Sequence, residues 1–391
     1  MSHFMDQVLR KRLQALESKG QRRTPRTVDS RPGGRCVIEG RELINFGSND
    51  YLGLAHDPRV CAAFAEVAAL QTGATASSLI VGRSTCHADL EEQLAEFEDS
   101  ESVLLFPTGF AANAGTLQAL VTADDVIFSE TENHASLIDG CRGSKAAVRV
   151  FDRHELNRLR TMLHEERSAF DNGFVVIDGV FSMDGTVAPL AELCEIADEY
   201  QLAVIVDEAH ATGVLGLNGR GACELAGVEH RTFLRIGTLS KALGGLGGFV
   251  AGSANTIEWL RNRARNQFFS TAAPPAVCAA VSKSLEIVES EPGRRVRLSE
   301  LNQRAREYVV QSGLNLIGDG PVPIVAIGIT DSSDAVKITT ELQESGWFVP
   351  AILPPTVAAG TSRLRLSLTT DHEMADVCAA IDVVARILSP V

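Results

Sequence analysis

The stretch RIGTLSKALGGLGGFVAG, residues 235–252, is the part of the chain around which we expect the fold to be organised. Its first residues are typical of the end of an apolar strand, and Thr238 and Ser240 then place two hydroxyl groups at the strand's exit. Lys241 follows, with no carboxylate beside it in this stretch. Four glycines between 244 and 248 allow tight turns and a close approach of the backbone to another group.

Lys241 is the residue of this stretch that suggests chemistry. A lysine packed among apolar residues and glycines loses its proton more readily, because burial disfavours the charged form. A neutral amine is what an imine with a carbonyl compound requires. An isolated Ser-Lys pair is also typical of a surface loop after a strand, so the other strand ends must decide between the two interpretations.

Composition and charge exclude several classes of function. The 391 residues, 45% of them hydrophobic, are enough for two domains. A formal net charge of -14 argues against binding to nucleic acid or an anionic membrane. We find no apolar run of the roughly 18 residues that a membrane span needs, and no secretory signal. Eight cysteines without a C-x-x-C pair favour reduced thiols in a cytoplasmic protein, with no metal site.

Strand and helix patterns alternate between residues 102 and 252, which predicts an α/β fold. Near-continuous apolar strands separated by helices are typical of a mostly parallel sheet that is covered on both faces. We expect helices near 111–120, 134–141, 156–164 and 190–200. We expect strands at SVLLF, DVIFS, AVRVF, GFVVIDG, LAVIVDEA, RTFLRIG and GGFVAG.

The chain divides into three predicted parts. Residues 1–46 form an N-terminal helix, closed by Gly20, and an arm that ends in a hairpin turning at Glu39-Gly40. Residues 47–274 form the large α/β domain. Residues 275–391 form a smaller α+β domain, in which two long helices precede a strand, a helix, two strands and a last helix. These elements are expected at 275–290, 293–312, 321–329, 334–346, 347–353, 362–368 and 372–387.

Polar residues follow several of the predicted strands. In α/β sheets ligands bind outside the carboxyl ends of the strands, so these residues are the candidates for a site. Gly109 begins a helix whose free N–H groups and dipole can bind an anion. His134 starts the next helix, and Ser182 lies in a turn. Asp207 ends an apolar strand, where a carboxylate needs a cationic or hydrogen-bonding partner, and His210 follows it.

Each of these residues has an ordinary structural explanation when it is taken alone. Together they match the groups that would bind a phosphorylated, electron-poor ring cofactor. A helix N-terminus with Thr238 and Ser240 can bind a phosphate, and an imidazole can stack on a ring. A carboxylate can keep a pyridine nitrogen protonated, which makes pyridoxal phosphate an electron sink. VDEAH also resembles the acidic motif of helicases, but the chain lacks the G-x-x-x-x-G-K-[ST] loop that such enzymes need.

With these motifs, the sequence resembles the α-oxoamine synthases. These are pyridoxal 5'-phosphate (PLP) enzymes of the aspartate-aminotransferase-like fold, fold type I. The likeness runs over nearly the whole chain, in SNDYLGL, TGFAAN, NHASLIDG, VFSMDG, VDEAHATGVLG, GTLSKALG, FSTAAPP and PPTV before GTSRLRLSL. The PPTV segment favours the branch that condenses L-alanine with pimeloyl-CoA, or pimeloyl-carrier protein, to 8-amino-7-oxononanoate, CoA and CO2 in biotin biosynthesis.

Other functions remain open for this fold. Within the family, the alternatives are glycine C-acetyltransferase and serine palmitoyltransferase. Outside it, the alternatives are a PLP-dependent lyase and a non-catalytic binding module.

The resemblance implies a role for each residue around the ring. Lys241 would hold PLP and move protons at the α-carbon of the amino acid. Asp207 would pair with the pyridine nitrogen, and His134 would stack on the ring. His210 and Ser182 would lie near its phenolate oxygen.

The resemblance also implies a phosphate site shared across a homodimer. Thr238, Ser240 and the backbone of Gly109 and Phe110 would bind the phosphate. Thr271 would be contributed by the other subunit.

For the substrates, the resemblance implies that Arg365 binds the amino-acid carboxylate. Thr356 and one arginine of the 22–26 cluster, Arg23, would meet the acyl substrate, while Asn49 and Tyr51 would line the cleft.

Two positions depart from the pattern that is usual in this family. Ser78 stands where many relatives have arginine. Residues 153–155 read Arg-His-Glu where His-Asn-Asp is usual. Both lie outside the set of residues expected around the cofactor.

Overall fold

The computed structural model describes residues 2–18, 22 and 24–388. Its strands are β1 (Val28–Arg31), β2 (Arg35–Ile38), β3 (Arg41–Asn45), β4 (Ser102–Phe106), β5 (Val126–Glu130), β6 (Ala147–Phe151), β7 (Gly173–Asp178), β8 (Leu202–Asp207), β9 (Leu234–Thr238), β10 (Gly248–Gly252), β11 (Leu316–Ile317), β12 (Ile324–Gly328), β13 (Trp347–Phe348), β14 (Ala351–Ile352) and β15 (Arg363–Ser367). Its α-helices are α1 (Ser2–Ser18), α2 (Pro58–Ala68), α3 (Thr85–Phe97), α4 (Gly109–Leu120), α5 (Ala135–Gly143), α6 (Leu156–Glu166), α7 (Leu190–Tyr200), α8 (Ala222–Ala226), α9 (Ala254–Arg263), α10 (Arg265–Phe268), α11 (Pro275–Ser290), α12 (Gly293–Gln311), α13 (Ser332–Glu344) and α14 (Met374–Leu388).

The large sheet has, within the described residues, the strand order β4-β10-β9-β8-β7-β5-β6. The pairs from β9 to β6 are parallel, whereas β10 runs antiparallel to both β9 and β4. Buried apolar clusters lie on both faces of this sheet, as expected for strands covered by helices. The predicted mostly parallel α/β sheet is therefore confirmed.

The four helices predicted between the central strands are α4, α5, α6 and α7, with ends that differ by no more than two residues from the prediction. Thr108 caps α4, since its side-chain oxygen accepts a hydrogen bond from the N–H of Ala111 at 3.0 Å. His134 caps α5 by accepting from the N–H of Ser136. Both helices therefore begin at the carboxyl edge of the large sheet with their capping residues fixed.

The N-terminal arm forms a small sheet in the order β1-β2-β3-β13. The predicted hairpin joins β2 to β3, with Glu39 and Gly40 at φ angles of 51° and 77°, as a two-residue type I′ turn requires. Helix α1 confirms the predicted first helix, but Gly20, expected to close it, lies outside the described residues.

The stretch 347–353 was predicted to be one strand, and that prediction is wrong. Its first part, β13, pairs in parallel with β3 of the arm, while β14 pairs with β15 in the antiparallel sheet β11-β12-β15-β14. Pro350 lies between the two parts and has no N–H for a strand ladder, so the chain changes sheets there. The three-part domain division stays a prediction.

This exchange of sheets places the loop after β3 beside β15. The carbonyl oxygen of Phe46 accepts from the N–H of Ser367 at 2.8 Å, and that of Tyr51 accepts from Thr370 at 3.0 Å. Asn49 and Arg365, which are 316 residues apart, are brought together in this way. Among the described residues, no helix is both long and apolar enough to cross a bilayer.

A buried ion pair lies where α3 ends beside β9. Arg235 Nε donates to Glu98 Oε2 at 3.1 Å, and the Arg235 guanidinium also contacts the Glu98 carbonyl oxygen. The Glu98 side chain is fully buried. Burial raises the pKa of the Glu98 carboxyl to about 7, although the charge of Arg235 acts in the opposite direction.

We predict that Glu98 makes the stability of the fold fall as the pH rises. Its carboxyl binds a proton more tightly in the fold, where its pKa is about 7 instead of 4.5, so its contribution is complete below pH 4.5 and is lost through pH 7. The Glu98→Gln variant should lack this loss, which amounts to about 3 kcal/mol. Urea unfolding at a series of pH values measures it.

The comparison uses the slope of the unfolding free energy with pH and not its absolute value, because Glu98→Gln also changes the contacts with Arg235. Parallel curves for the two proteins between pH 5 and 8 would show that Glu98 does not titrate in this range.

Candidate active site

A cavity of about 260 Å³ lies at the carboxyl edge of the large sheet, where β7, β8 and β9 end and α4 and α5 begin. It is lined by Thr108, Gly109, Phe110, Asn113, His134, Ser136, Asp178, Val180, Ser182, Asp207, Ala209, His210, Ile236, Gly237, Thr238, Ser240, Lys241 and Leu246. All the residues predicted around the cofactor, apart from Thr271, belong to this set.

Lys241 projects into the cavity from the turn after β9. Burial lowers the pKa of its amine from 10.5 to about 8, while the charges of Asp207 and Asp178 act to raise it. A substantial fraction of the amine is therefore neutral near pH 8, which is the form that attacks a carbonyl group.

Two carboxyl groups on neighbouring strands line the cavity together with this amine. Asp178 and Asp207 end β7 and β8 and are direct neighbours in the parallel pairing. Asp207 accepts from Asn113 Nδ2 at 2.5 Å and from the N–H of Ala209 at 2.8 Å, and these donors stabilise its charged form. Burial and the charge of Asp207 raise the pKa of Asp178 well above its usual range. The two carboxyl groups therefore differ in their surroundings, although they end neighbouring strands.

The ring of His134 is held by a chain of hydrogen bonds that leads to Asp207. Its Nδ1 accepts from the N–H of Ser136 at 3.3 Å and lies 2.7 Å from Ser136 Oγ. Ser136 Oγ in turn accepts from Asn113 Nδ2 at 2.8 Å. These partners assign the ring proton to Nε2, and burial lowers the pKa of His134, which favours the neutral ring.

The opposite end of the cavity can bind an anion. The first N–H groups of α4, at Gly109 and Phe110, have no partner within the helix. Thr238 Oγ1 and Ser240 Oγ lie 2.8 Å apart beside them. A Cβ atom on Gly109 would come within 3.1 Å of Thr238 Oγ1, and one on Gly248 would come within 2.7 Å of the Gly109 backbone. Glycine at these positions keeps the space for a phosphate-sized anion open.

A second group of polar residues lies behind the cavity wall. The hydroxyl of Tyr51 is 2.7 Å from His210 Nδ1 and donates to Asn49 Oδ1 at 3.3 Å. Arg365 donates to the same Asn49 oxygen at 3.2 and 3.3 Å, and its Nε donates to the carbonyl of Ser182 at 2.6 Å. This guanidinium is buried and fixed, which suits the binding of a carboxylate.

The pKa of His210 is lowered well below its usual range. Burial is the main cause, and the positive charges of Lys241 and Arg365 act in the same direction. His210 is therefore a neutral imidazole at the cavity wall.

Three residues predicted for the site lie elsewhere or cannot be placed. Thr271 is exposed and pairs with Ser77 across an isolated bridge. Thr356 is exposed in the turn after β14, where its N–H donates to Leu353 at 3.0 Å. Arg23 lies outside the described residues. Their proposed roles stay predictions.

Three residues that line the cavity were not predicted from the sequence: Asn113, Ser136 and Asp178. Asp178 could have been found, because it ends the apolar run GFVVID just as Asp207 ends LAVIVD. Asn113 and Ser136 each lie within the first turns of a helix that starts at the sheet edge. The hydrogen bond between them joins two helices, and the sequence carries no signal for that contact.

The family model of class I and II aminotransferases matches residues 41–381. The chain belongs to this family. It is similar to the 8-amino-7-oxononanoate synthase of Geobacter sulfurreducens, with 43% identity over 96% of each chain. It is also similar to 8-amino-7-oxononanoate synthase 2 of Bacillus subtilis, with 43% identity over 95% of each chain.

Solved structures of related enzymes are similar to this fold over nearly its whole length. Serine palmitoyltransferase of Sphingomonas wittichii has a TM-score of 0.90 and 30% identity, covering 98% of this chain and 96% of that one. The enzyme of S. paucimobilis with bound PLP has a TM-score of 0.90 and 28% identity, covering 97% and 96%. The 8-amino-7-oxononanoate synthase of Francisella tularensis has a TM-score of 0.78 and 27% identity, covering 88% and 98%.

These similarities confirm the predicted α-oxoamine synthase family, its fold, its enzymatic nature and its cofactor. PLP also fits the donor set of the cavity. The α4 N-terminus, Thr238 and Ser240 would hold its phosphate, and His134 and Asp207 would face its ring. When bound, PLP stabilises negative charge at the α-carbon of an amino acid.

We predict that Lys241 reacts with amine reagents at an unusually low pH. In cofactor-free protein, labelling with acetic anhydride, mapped by peptide mass spectrometry over pH 6–11, should show a midpoint near pH 8, because burial lowers the pKa of Lys241 to about 8. An ordinary lysine has a pKa of about 10.4. Lys337, on α13, serves as the internal reference. A Lys241 midpoint at pH 10 or above would contradict the assignment.

Proposed function

We propose that the chain condenses L-alanine with pimeloyl-CoA or pimeloyl-carrier protein and releases CO2 and the free thiol, giving 8-amino-7-oxononanoate for biotin biosynthesis. The observation that carries this proposal is the 43% identity to a relative named for that product over 96% of both chains. The cavity supports it, because an amine and an anion site lie in it and a buried arginine lies beside it.

The residues of this chain divide the work of the reaction. Arg365 would bind the alanine carboxylate, with its orientation fixed by Asn49 and Ser182. Lys241, whose pKa is about 8, is suited to take the proton from the alanine α-carbon and to return one after CO2 is lost. The residues around the cavity would hold the reacting bond of the bound amino acid in one orientation.

Serine palmitoyltransferase activity is the second candidate, and a specific observation favours it. Two such enzymes match this fold with TM-scores of 0.90. The higher identity to the oxononanoate synthases, 43% against 30%, favours alanine.

A thiol-release assay distinguishes these two functions. The loaded enzyme is given pimeloyl-CoA or palmitoyl-CoA together with alanine, glycine or serine, and free CoA is measured. We expect kcat/KM to be highest for alanine with pimeloyl-CoA, since differences of one small group are worth roughly 10- to 200-fold. Higher values for serine with palmitoyl-CoA would reverse the assignment, and the Lys241→Ala variant should release no CoA.

We further propose that the chain acts as a homodimer. Leu79, Ile80, Val81 and Phe269 form an apolar surface patch, with exposed fractions of 57%, 74%, 74% and 67%. Contiguous apolar patches of this kind are typical of interfaces. Thr271 lies two residues from Phe269, which supports the idea that it reaches the cavity of a second subunit.

The dimer can be tested with a charged substitution in the apolar patch. Ile80→Lys should give a monomer in sedimentation velocity and weaken PLP binding, because a charge buried in an apolar interface is costly and Thr271 would be withdrawn. Leu217→Lys is the matched control, since Leu217 is 87% exposed in the loop between β8 and α8. An Ile80→Lys protein that stays dimeric would exclude this patch as the interface.

A cytoplasmic location is proposed as well. All eight cysteines are free thiols, which supports a reducing compartment.

A further inference from the structure

Arg153, one of the positions where the sequence departs from its family, is a buried arginine outside the cofactor cavity. Only 4% of its side chain is exposed. Its Nη1 donates to Glu130 Oε1 at 3.0 Å and to Glu132 Oε2 at 2.8 Å. Glu130 is the last residue of β5 and is itself fully buried. The guanidinium is therefore anchored to the edge of the large sheet.

The same guanidinium holds a turn that lines the cavity. We call residues 181–186 the Ser182 turn. The guanidinium carbon of Arg153 lies 3.6 Å from the centre of the Phe181 ring. Its Nη2 donates to Thr186 Oγ1 at 3.3 Å and lies 3.5 Å from Asp184 Oδ2. Both ends of the Ser182 turn are thus bound to one side chain.

Hydrogen bonds inside the Ser182 turn make it a rigid unit. The N–H of Phe181 donates to the carbonyl of Thr186, and the N–H of Gly185 donates to that of Phe181, both at 2.9 Å. Asp184 Oδ1 accepts from the hydroxyl of Thr186 at 2.8 Å. A shift of Phe181 or Asp184 would therefore move Ser182, which lies between them.

The other side of the Ser182 turn holds the arginine proposed to bind the substrate. The carbonyl oxygen of Ser182 accepts from Arg365 Nε at 2.6 Å, and that of Met183 accepts from Arg363 Nη1 at 3.4 Å. The position of the Arg365 fork follows from this carbonyl, from Asn49 and from Ser367 Oγ, which accepts from Arg365 Nη1 at 2.8 Å. The path from Arg153 to Arg365 is continuous, through the Ser182 turn.

We propose that Arg153 is a positioning residue for the amino-acid substrate: by fixing the Ser182 turn, it aims the Arg365 guanidinium at the substrate carboxylate. This inference rests on the proposed function in one respect, the role of Arg365 in binding that carboxylate. Lysine cannot replace arginine here, because an ammonium group lacks the planar fork and the flat face that contacts Phe181.

The test compares two ligands that differ only in the carboxylate. Calorimetry on the PLP-loaded protein measures the Kd of L-alanine and of L-alaninamide. Arg153→Lys should reduce the preference for L-alanine over the amide about tenfold, the lower end of what one charge-assisted hydrogen bond contributes. Binding of the amide should change less than twofold, on the order of the scatter of such measurements. In the thiol-release assay, KM for alanine should rise more than kcat falls.

Two further proteins complete the experiment. Arg153→Gln combined with Glu130→Gln leaves no unpaired buried carboxylate and should show the same loss of preference if Arg153→Lys does not fold. Arg160→Gln breaks an arginine–glutamate pair at the surface, with Glu192 at 3.0 Å, and should leave the preference unchanged.

The outcomes separate this inference from the proposed function. If the unsubstituted protein shows no preference for alanine over the amide, Arg365 does not bind the substrate carboxylate and that part of the proposed function is wrong. If it shows the preference and the Arg153 variants keep it, or lose affinity for both ligands equally together with thermal stability, Arg153 has only a structural role and the inference is wrong.

Discussion

Burial of charge at the carboxyl edge of the large sheet is the constraint on which the site depends. The parallel register of β7 and β8 places Asp178 beside Asp207, and the turn after β9 directs Lys241 towards them. Burial and the charge of Asp207 raise the pKa of Asp178 well above its usual range. The same burial lowers the pKa of Lys241 to about 8. Burial is thus the main cause of the pKa shifts of both Asp178 and Lys241.

The geometry around this edge depends on parts of the chain that are far apart in sequence. Helices α4 and α5 are joined through Asn113 and Ser136, which fixes the ring of His134. The arm and the C-terminal part share a small sheet through β3 and β13, and this contact carries Asn49 to Arg365. The cofactor part of the cavity is therefore formed by residues at the edge of the large sheet. The substrate part forms only when segments from the N-terminal and C-terminal parts of the chain pack together.

Much of this could be predicted from the sequence, because the signals are local. Apolar runs that end in polar residues identified the strands, and the rule that ligands bind at strand exits selected Lys241, Asp207, His134 and Thr238. Asp178 carries the same signal and was overlooked. Pro350 was a local signal for a break in the strand, but the two sheets that its flanking parts join, and the contacts of Arg153, depend on distant segments. Thr271 and Thr356 lie away from the cavity of their own chain, so the geometry of one chain cannot assign them.

Lys241 is the residue proposed to hold PLP, and chemical trapping tests this assignment most directly. Protein loaded with PLP is reduced with borohydride, digested and analysed by mass spectrometry, which locates the phosphopyridoxyl group on the chain. We predict that the group lies on Lys241. Stoichiometric labelling of another lysine, or no labelling of a protein that has taken up PLP, would contradict it.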